Sequence, residues 1–239
     1  MLGNLAHQGG QAHTTATDWC TLATYAGRMP DLAKAKLRSA FEAFVLDAGA
    51  RSTHKAHGRM KADVISAMTG TVVELGPGTG VNMRYYGPGV HVIGIEPNPA
   101  MHDRLRAKAV EHNVDLEIRT LRGESIDVAD GSADGVVGTL VLCGVDDPAK
   151  VVREVIRVLR PAGTYLFLEH VAAPSGTMTR RAQEVLLRPH RWMFNGCEVN
   201  RDTEATLRAG GFANVEMEHV DNGVKGGHVR HFIRGTARK

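Results

Sequence analysis

The chain has 239 residues, which is enough for one large α/β domain with a small subdomain. Hydrophobic residues make up 43% and charged residues 23%, and a net charge of +3 with Lys and Arg mixed among Asp and Glu does not favour a nucleic-acid partner. Three cysteines without a Cys-x-x-Cys pair argue against a disulfide framework or a zinc knuckle.

The N-terminal quarter of the chain shows no export signal, and no run approaches the ~20 apolar residues of a membrane span. We therefore expect a cytoplasmic protein without stable membrane insertion. Residues 1–15 have no hydrophobic period and are predicted to be a flexible tail. Residues 16–60 are predicted to form a helical cover, because 31–48 places apolar side chains on one helix face.

From residue 71 onward, short apolar strands alternate with amphipathic helices. Asn98–Pro99 and Asp147–Pro148 each supply a helix N-cap followed by a first-turn proline. This alternation is typical of a parallel sheet covered by helices on both faces. The predicted strands are 71–75, 90–96, 115–120, 134–142, 163–171, 213–219 and 228–236, and the predicted helices are 98–112, 147–160 and 202–210.

An arginine-rich stretch at 172–203 interrupts this rhythm and is predicted to be an insertion that forms a lid or a pocket wall. Residues 61–239 are therefore predicted to form a Rossmann-like, doubly wound α/β domain. Its sheet is expected to have seven strands and to be mostly parallel.

The stretch VVELGPGTG, residues 72–80, places a glycine-rich loop directly after the first predicted strand. Glycines at this turn let the backbone approach a ligand, and the N–H groups that follow are free to bind it. A dinucleotide fingerprint would need a third glycine where Val81 stands, so a nicotinamide-dependent oxidoreductase is disfavoured. A purely structural tight turn is the simpler alternative.

Two acids accompany the loop and favour a ligand. Glu74 precedes the glycines, where it would repel a pyrophosphate but could meet an ammonium group. Glu96 ends the next predicted strand, where a carboxylate can accept both hydroxyls of a ribose. A short helix is predicted to follow the glycines through Tyr86, and its N-terminus could hold a carboxylate. An ammonium, a carboxylate and a ribose together describe S-adenosylmethionine.

The motifs ELGPGTG, IEPNPAM, GESIDVADGSADGVV, TLVLCGVDD and REVIRVLRPAG, taken in this order, resemble those of class I methyltransferases. The resemblance covers residues 70–172 and implies S-adenosylmethionine as the methyl donor and S-adenosylhomocysteine as the product. It assigns the loop to the methionine part, Glu96 to the ribose, 123–125 to the adenine and the end of the fourth strand to the methyl group. The donor-binding residues implied are Glu74, Gly76, Pro77, Gly78, Gly80, Glu96, Pro97, Gly123, Glu124, Ser125, Leu140 and Val141.

The second half carries a narrower resemblance. FLEHVAAPSGT, FNGCEVNRDT and GGFANVEMEHV, together with EPNPAM and GTLVLC, are similar to the methyltransferase-like enzymes that methylate alkyl thiols. The resemblance implies a small-molecule thiol acceptor, although the hydrophobic N-terminal segment of that family has no counterpart here. An O- or C-methyltransferase acting on a phenolic, quinol or polyketide-like metabolite is the alternative. A catalytically silent S-adenosylmethionine binder is another, since donor binding needs no acceptor chemistry.

The acceptor side is predicted from the ends of the later strands. His170 ends the fifth strand and is the candidate base, with a purely structural histidine as the alternative. The predicted substrate-binding residues are Tyr25, Cys143, His190, Trp192 and Phe194. Cysteines are also common as small buried hydrophobes, which is the competing explanation for Cys143 and the favoured one for Cys197.

No metal is expected from the paired histidines at 54 and 57 or at 228 and 231, because no acid or cysteine cluster accompanies them in the sequence. The sequence leaves the oligomeric state open.

Overall fold

The computed structural model describes residues 58–194, 196–221 and 227–239. The predicted tail, nearly all of the predicted helical cover and Tyr25 lie outside the described residues. The described chain begins with helical residues 58–65.

Seven strands form one sheet. They are β1 (Thr71–Leu75), β2 (His91–Ile95), β3 (Asp115–Arg119), β4 (Ala133–Thr139), β5 (Leu159–His170), β6 (Asn214–Asp221) and β7 (His231–Arg238). Their spatial order is β3-β2-β1-β4-β5-β7-β6, with β7 antiparallel to both of its neighbours and all other pairs parallel. This confirms the predicted seven-stranded, mostly parallel sheet.

The helices cover both faces of the sheet. They are a 3-10 turn at Met83–Tyr85, α1 (Pro99–Glu111), α2 (Pro148–Val158), α3 (Met178–Met193) and α4 (Thr203–Arg208). The side chains of Asn98 and Asp147 cap α1 and α2 as predicted, and a proline follows each cap.

Two apolar cores result from the alternation of side chains along the strands. On one face, α2 buries Val151 and Val155 against Val73 and Phe167. On the other face, Leu105 of α1 and Ile65 of the first helical residues pack with Val72. The sheet is therefore buried on both sides, as its parallel strands require.

Several predicted boundaries are wrong, and each has a local cause. β4 ends at Thr139 instead of 142, because Leu140 has φ +61° and turns the chain out of the sheet. α2 ends at Val158 and β5 starts at Leu159 instead of 163, since a helix cannot continue through Pro161. β7 runs from 231 to 238 rather than from 228 to 236. The 172–203 insertion contains the 16-residue helix α3.

None of the helices in these described ranges is long and apolar enough to cross a bilayer.

Candidate active site

The glycine loop follows β1 at the carboxyl edge of the sheet, where ligands bind in doubly wound folds. Gly76, Gly78 and Gly80 have φ of +55°, +57° and +87°, a region that side chains disfavour. A Cβ at Gly76 would lie 3.1 Å from Val141 Cγ2, and one at Gly94 would lie 3.2 Å from Pro77 Cγ. The loop backbone is therefore closely packed against the ends of β2 and β4.

Glu96 is locked directly beneath this loop. Its Oε2 accepts a hydrogen bond from Gly78 N at 2.9 Å, and its Oε1 accepts one from Asn98 N at 2.8 Å across Pro97. His102 Nε2 lies 3.0 Å from the Glu96 carbonyl oxygen. A carboxylate fixed in this way is suited to accept hydrogen bonds from ribose hydroxyls.

Glu74 belongs to a buried polar network rather than to an open pocket. It is 1% exposed, and its oxygens accept hydrogen bonds from Asn82 Nδ2 and Tyr86 Oη, both at 2.8 Å. Lys61 Nζ donates to Asn82 Oδ1 at 3.0 Å. Burial raises the pKa of Glu74, while Asn82, Tyr86 and Lys61 favour its ionised form. Its predicted contact with a ligand ammonium stays a prediction.

The predicted adenine segment lies between β3 and β4. Glu124 Oε1 accepts a hydrogen bond from Asp146 N at 3.0 Å, and Ser125 N donates to Arg122 O at 3.1 Å. Glu124 Oε2 is buried and has no hydrogen-bond partner among the described residues. A Cβ at Gly123 would contact Val151 at 3.4 Å. The segment thus presents one unsatisfied acceptor, which an exocyclic amine could meet.

A buried carboxylate organises the end of β4. Glu169 is fully buried and accepts backbone N–H bonds from Val141 and Leu142 at 2.9 Å and from Cys143 at 3.2 Å. Burial raises its pKa to about 7 against the opposing effect of these three amides. Leu140, just before them, holds φ +61°, which is a strained conformation for a non-glycine residue. Glu169 therefore fixes the turn that carries Leu140 and Val141.

Next to this turn, two thiols and an imidazole form a cluster. Cys143 Sγ and Cys197 Sγ lie 3.5 Å apart, and His170 Nδ1 lies 3.6 Å from the first and 3.4 Å from the second. All three side chains are at least nine-tenths buried. The hydrogen bond between the two sulfurs raises the pKa of Cys143 and lowers that of Cys197, and His170 lowers the Cys197 pKa further. The cluster thus favours one thiolate, on Cys197.

The remaining predicted acceptor residues lie at the end of α3. His190 is buried; its Nδ1 lies 3.1 Å from His228 Nε2, and the centroid of its ring lies 4.5 Å from that of Phe194. Phe194 is partly exposed, whereas Trp192 is 70% exposed. The structure therefore brings His170, Cys143 and His190 into one region and leaves Trp192 at the surface.

Known methyltransferases resemble this chain in sequence. A methyltransferase domain family matches residues 73–167. The human thiol S-methyltransferases TMT1A and TMT1B are each 38% identical to the chain, over 71% and 70% of its length and 70% of each of theirs. This chain belongs to the class I methyltransferase family that includes these enzymes. It is a methyltransferase, with S-adenosylmethionine as methyl donor and S-adenosylhomocysteine as product.

The residues of this methyltransferase fit that donor. The glycine loop turns on three glycines with positive φ and packs closely against Val141, Glu96 is held in place by two backbone amides, and the buried Glu124 Oε2 lacks a protein partner in the described ranges. Among solved structures, the cyclase SpnF has a TM-score of 0.61 and 18% identity, covering 76% of this chain and 78% of that one. Such a likeness concerns the fold alone.

Sequence reasoning missed three residues that shape the site. Lys61 and Asn82 complete the network around Glu74, and Cys197, for which the sequence favours a packing role, belongs to the thiol–imidazole cluster. Cys143 and Cys197 are 54 positions apart, and His170 is 27 from each, so no local spacing could reveal the cluster. The signal available in the sequence was that Cys143 and His170 both stand at the ends of neighbouring strands.

Proposed function

We propose that this methyltransferase transfers the methyl group of S-adenosylmethionine to the sulfur of a small alkyl thiol. The observation that carries the proposal is the 38% identity with the human thiol S-methyltransferase TMT1A across 71% of this chain and 70% of that enzyme. The cytoplasmic location and the absence of a nucleic-acid partner predicted from the sequence stay predictions.

The chemistry at the carboxyl edge suits an acceptor that needs little activation. S-adenosylmethionine supplies a methyl group on a positively charged sulfur, so catalysis depends mainly on aligning the acceptor with it. A thiol has a pKa of about 8.5 and a phenol one of about 10, so a thiol needs the weaker base. The carboxylate nearest the end of β4, Glu169, is occupied by three backbone amides. The Cys143 thiol and the His170 imidazole lie beside it.

In this proposal the donor side is divided among a few segments. The glycine loop and Glu74 surround the methionine part, Glu96 and Pro97 hold the ribose, and 123–125 flank the adenine. Leu140 and Val141, fixed through Glu169, face the methyl group. The base role of His170 stays a prediction; its Nδ1 lies 3.6 Å from Cys143 Sγ and 3.4 Å from Cys197 Sγ.

The test is methyl transfer from labelled S-adenosylmethionine to a matched panel of alkyl thiols, aryl thiols, phenols and amines. We expect transfer to alkyl thiols, and loss of that transfer in Glu96→Ala. Preference for phenols or amines would overturn the thiol assignment and favour the O-methyltransferase alternative. Tight donor binding without transfer to any member of the panel would instead favour the silent binder.

A further inference from the structure

We propose that Cys143, Cys197 and His170 form a Zn²⁺ site with an open fourth position, placed on the acceptor side of the methyl-transfer centre. Their ligand atoms all lie within 4.8 Å of one another, and no other group of three or more potential ligands is found in the described part of the chain. The site itself is independent of the proposed function, whereas its role in thiol activation rests on it.

The distances within the cluster match a tetrahedral metal site. With Zn–S about 2.3 Å and Zn–N about 2.0–2.1 Å, tetrahedral angles place two sulfurs about 3.8 Å apart and a sulfur and a nitrogen about 3.6 Å apart. The observed separations are 3.5 Å between the sulfurs and 3.6 and 3.4 Å from His170 Nδ1 to them. Both thiols are free, and their sulfurs are well beyond the ~2.05 Å of a disulfide.

The ligand types and their surroundings favour zinc. Two thiolates and one imidazole form a set that soft and borderline divalent metals prefer, and three protein ligands are typical of zinc sites that keep a position for water or substrate. The ligands are held on rigid elements: Cys143 N is bonded to Glu169, and the His170 ring packs 4.7 Å from that of Phe232. His190 lies beside Cys197. Its ring nitrogen Nε2 is buried and has no hydrogen-bond partner among the described residues.

The location gives the metal a role in methyl transfer. Cys143 follows directly on Val141 and Leu142, and all three backbone N–H groups are held by the one carboxylate of Glu169. An acceptor thiol that occupies the fourth position loses its proton to solvent, because coordination to zinc favours the thiolate. A sulfur lone pair then forms the bond to the methyl carbon, and the carbon–sulfonium bond breaks with its electron pair remaining on the former sulfonium sulfur. The neutral thioether is a weak ligand, and water replaces it.

This assignment changes the role of His170. A ring whose Nδ1 binds the metal cannot also accept the acceptor's proton through that nitrogen, so the metal replaces the predicted base. It also differs from the sequence-based expectation of no metal, which rested on the lack of a Cys-x-x-Cys pair and of acids or cysteines near the paired histidines.

The first experiment measures the metal directly. The full chain, purified with a non-thiol reductant, is stripped with a chelator and titrated with Zn²⁺, and its content is determined by elemental analysis. Co²⁺ in place of Zn²⁺ reports the ligands through cobalt–thiolate charge-transfer absorption. We expect one metal per chain and a thiolate spectrum. Failure of wild-type protein to bind either ion at micromolar concentration would overturn the proposal without reliance on any variant.

Variants then assign the ligands. Cys143→Ser, Cys197→Ser and His170→Ala should each weaken Zn²⁺ binding by more than about 100-fold, since even outer residues of such sites contribute 10–100-fold. His170→Asp, which offers an oxygen ligand, should retain binding better than His170→Ala. His219→Ala removes an exposed histidine on β6 and serves as the matched control, with no change in metal content. His190→Ala should also retain the metal; loss there would indicate a closed four-ligand site and overturn the open position.

Activity separates this proposal from the proposed function. Thiol methylation should fall at least tenfold in stripped protein and return with Zn²⁺, while binding of S-adenosylhomocysteine stays unchanged. Equal thiol methylation with and without metal would overturn the role of zinc but leave the thiol methyltransferase intact. Metal binding with transfer only to phenols would leave the site standing and reject the thiol acceptor.

Discussion

Gly76 lies so close to Val141 that a Cβ added to the glycine would be 3.1 Å from the valine Cγ2. The contact joins the loop after β1 to the turn after β4, the two segments that the family motifs assign to the methionine part and the methyl group. Both segments are conformationally special, with φ +55° at Gly76 and φ +61° at Leu140. The proposed donor site thus includes a junction between two tight turns.

Gly76→Ala tests this junction. The new methyl group must displace the Val141 side chain, and alanine disfavours the positive φ of position 76. We therefore expect S-adenosylhomocysteine affinity to fall about tenfold or more and stability to fall by about 1–3 kcal/mol. Calorimetric titration and thermal unfolding measure the two effects.

Gly131→Ala is the matched control for this variant. Gly131 also has a positive φ, +63°, but among the described residues nothing lies within 4 Å of the position that a Cβ would take. The control should therefore lose stability without losing donor affinity. Equal losses of affinity in both variants would contradict the role of the contact between Gly76 and Val141.

Glu96→Ala removes the carboxylate that holds Gly78 N and Asn98 N. Hydrogen bonds to a charged group contribute about 1.5–3 kcal/mol each, so we expect donor affinity to fall by at least tenfold and up to complete loss. Titration with S-adenosylhomocysteine checks this. Asp103→Ala removes an exposed acid of α1 and should leave affinity unchanged. Wild-type affinity in Glu96→Ala would reject the ribose assignment.

The sheet and the position of the glycine loop at its carboxyl edge were predictable because their signals are local. Strand alternation, the glycines of the loop and the proline-marked caps at Asn98 and Asp147 all lie within a few residues of the element they determine. Glu96 could be placed because a residue that ends a parallel strand lies at a known edge of the sheet.

The acceptor side was not predictable in the same way. The Cys143, His170 and Cys197 cluster depends on β4 and β5 being neighbours and on the chain after α3 folding back over them. Pairing of Lys61 with Asn82 likewise joins residues 21 positions apart. Such contacts follow from the packing of elements, which hydrophobic periodicity does not report.

Lys61→Met tests the network around Glu74 through its pH dependence. Burial lowers the pKa of Lys61 to about 8 from 10.5, although Glu74 opposes the shift. Between these values the unfolded chain binds a proton that the folded chain has released, so this group makes stability rise with pH from about 8 to 10.5. We expect the rise to be smaller in Lys61→Met, measured by denaturant unfolding across that range. Lys108→Met, which removes a partly exposed lysine of α1, should retain the wild-type dependence of stability on pH. If Lys61→Met also retained it, the burial of a neutral Lys61 would be contradicted.

Glu169→Gln tests the carboxylate that fixes the end of β4. The folded pKa of Glu169 is raised to about 7 from 4.5 by burial, so between these values the folded chain holds a proton that the unfolded chain has lost. Its contribution to stability is therefore fully present below about pH 4.5 and is lost as the pH rises to about 7. The free energy of unfolding falls by about 3 kcal/mol over this range.

In Glu169→Gln this fall disappears. The unfolding free energy of the wild type minus that of the variant should therefore decrease as the pH rises from 4.5 to about 7. The amide of Gln also directs N–H groups at backbone N–H donors, and we expect methyl transfer to fall about tenfold or more because the turn carrying Val141 is no longer fixed. Urea unfolding at stepped pH and initial rates measure the two effects. Glu216→Gln removes an exposed carboxylate of β6 and should change neither. An unchanged pH slope together with wild-type activity in Glu169→Gln would show that the carboxylate neither titrates in this range nor positions the turn.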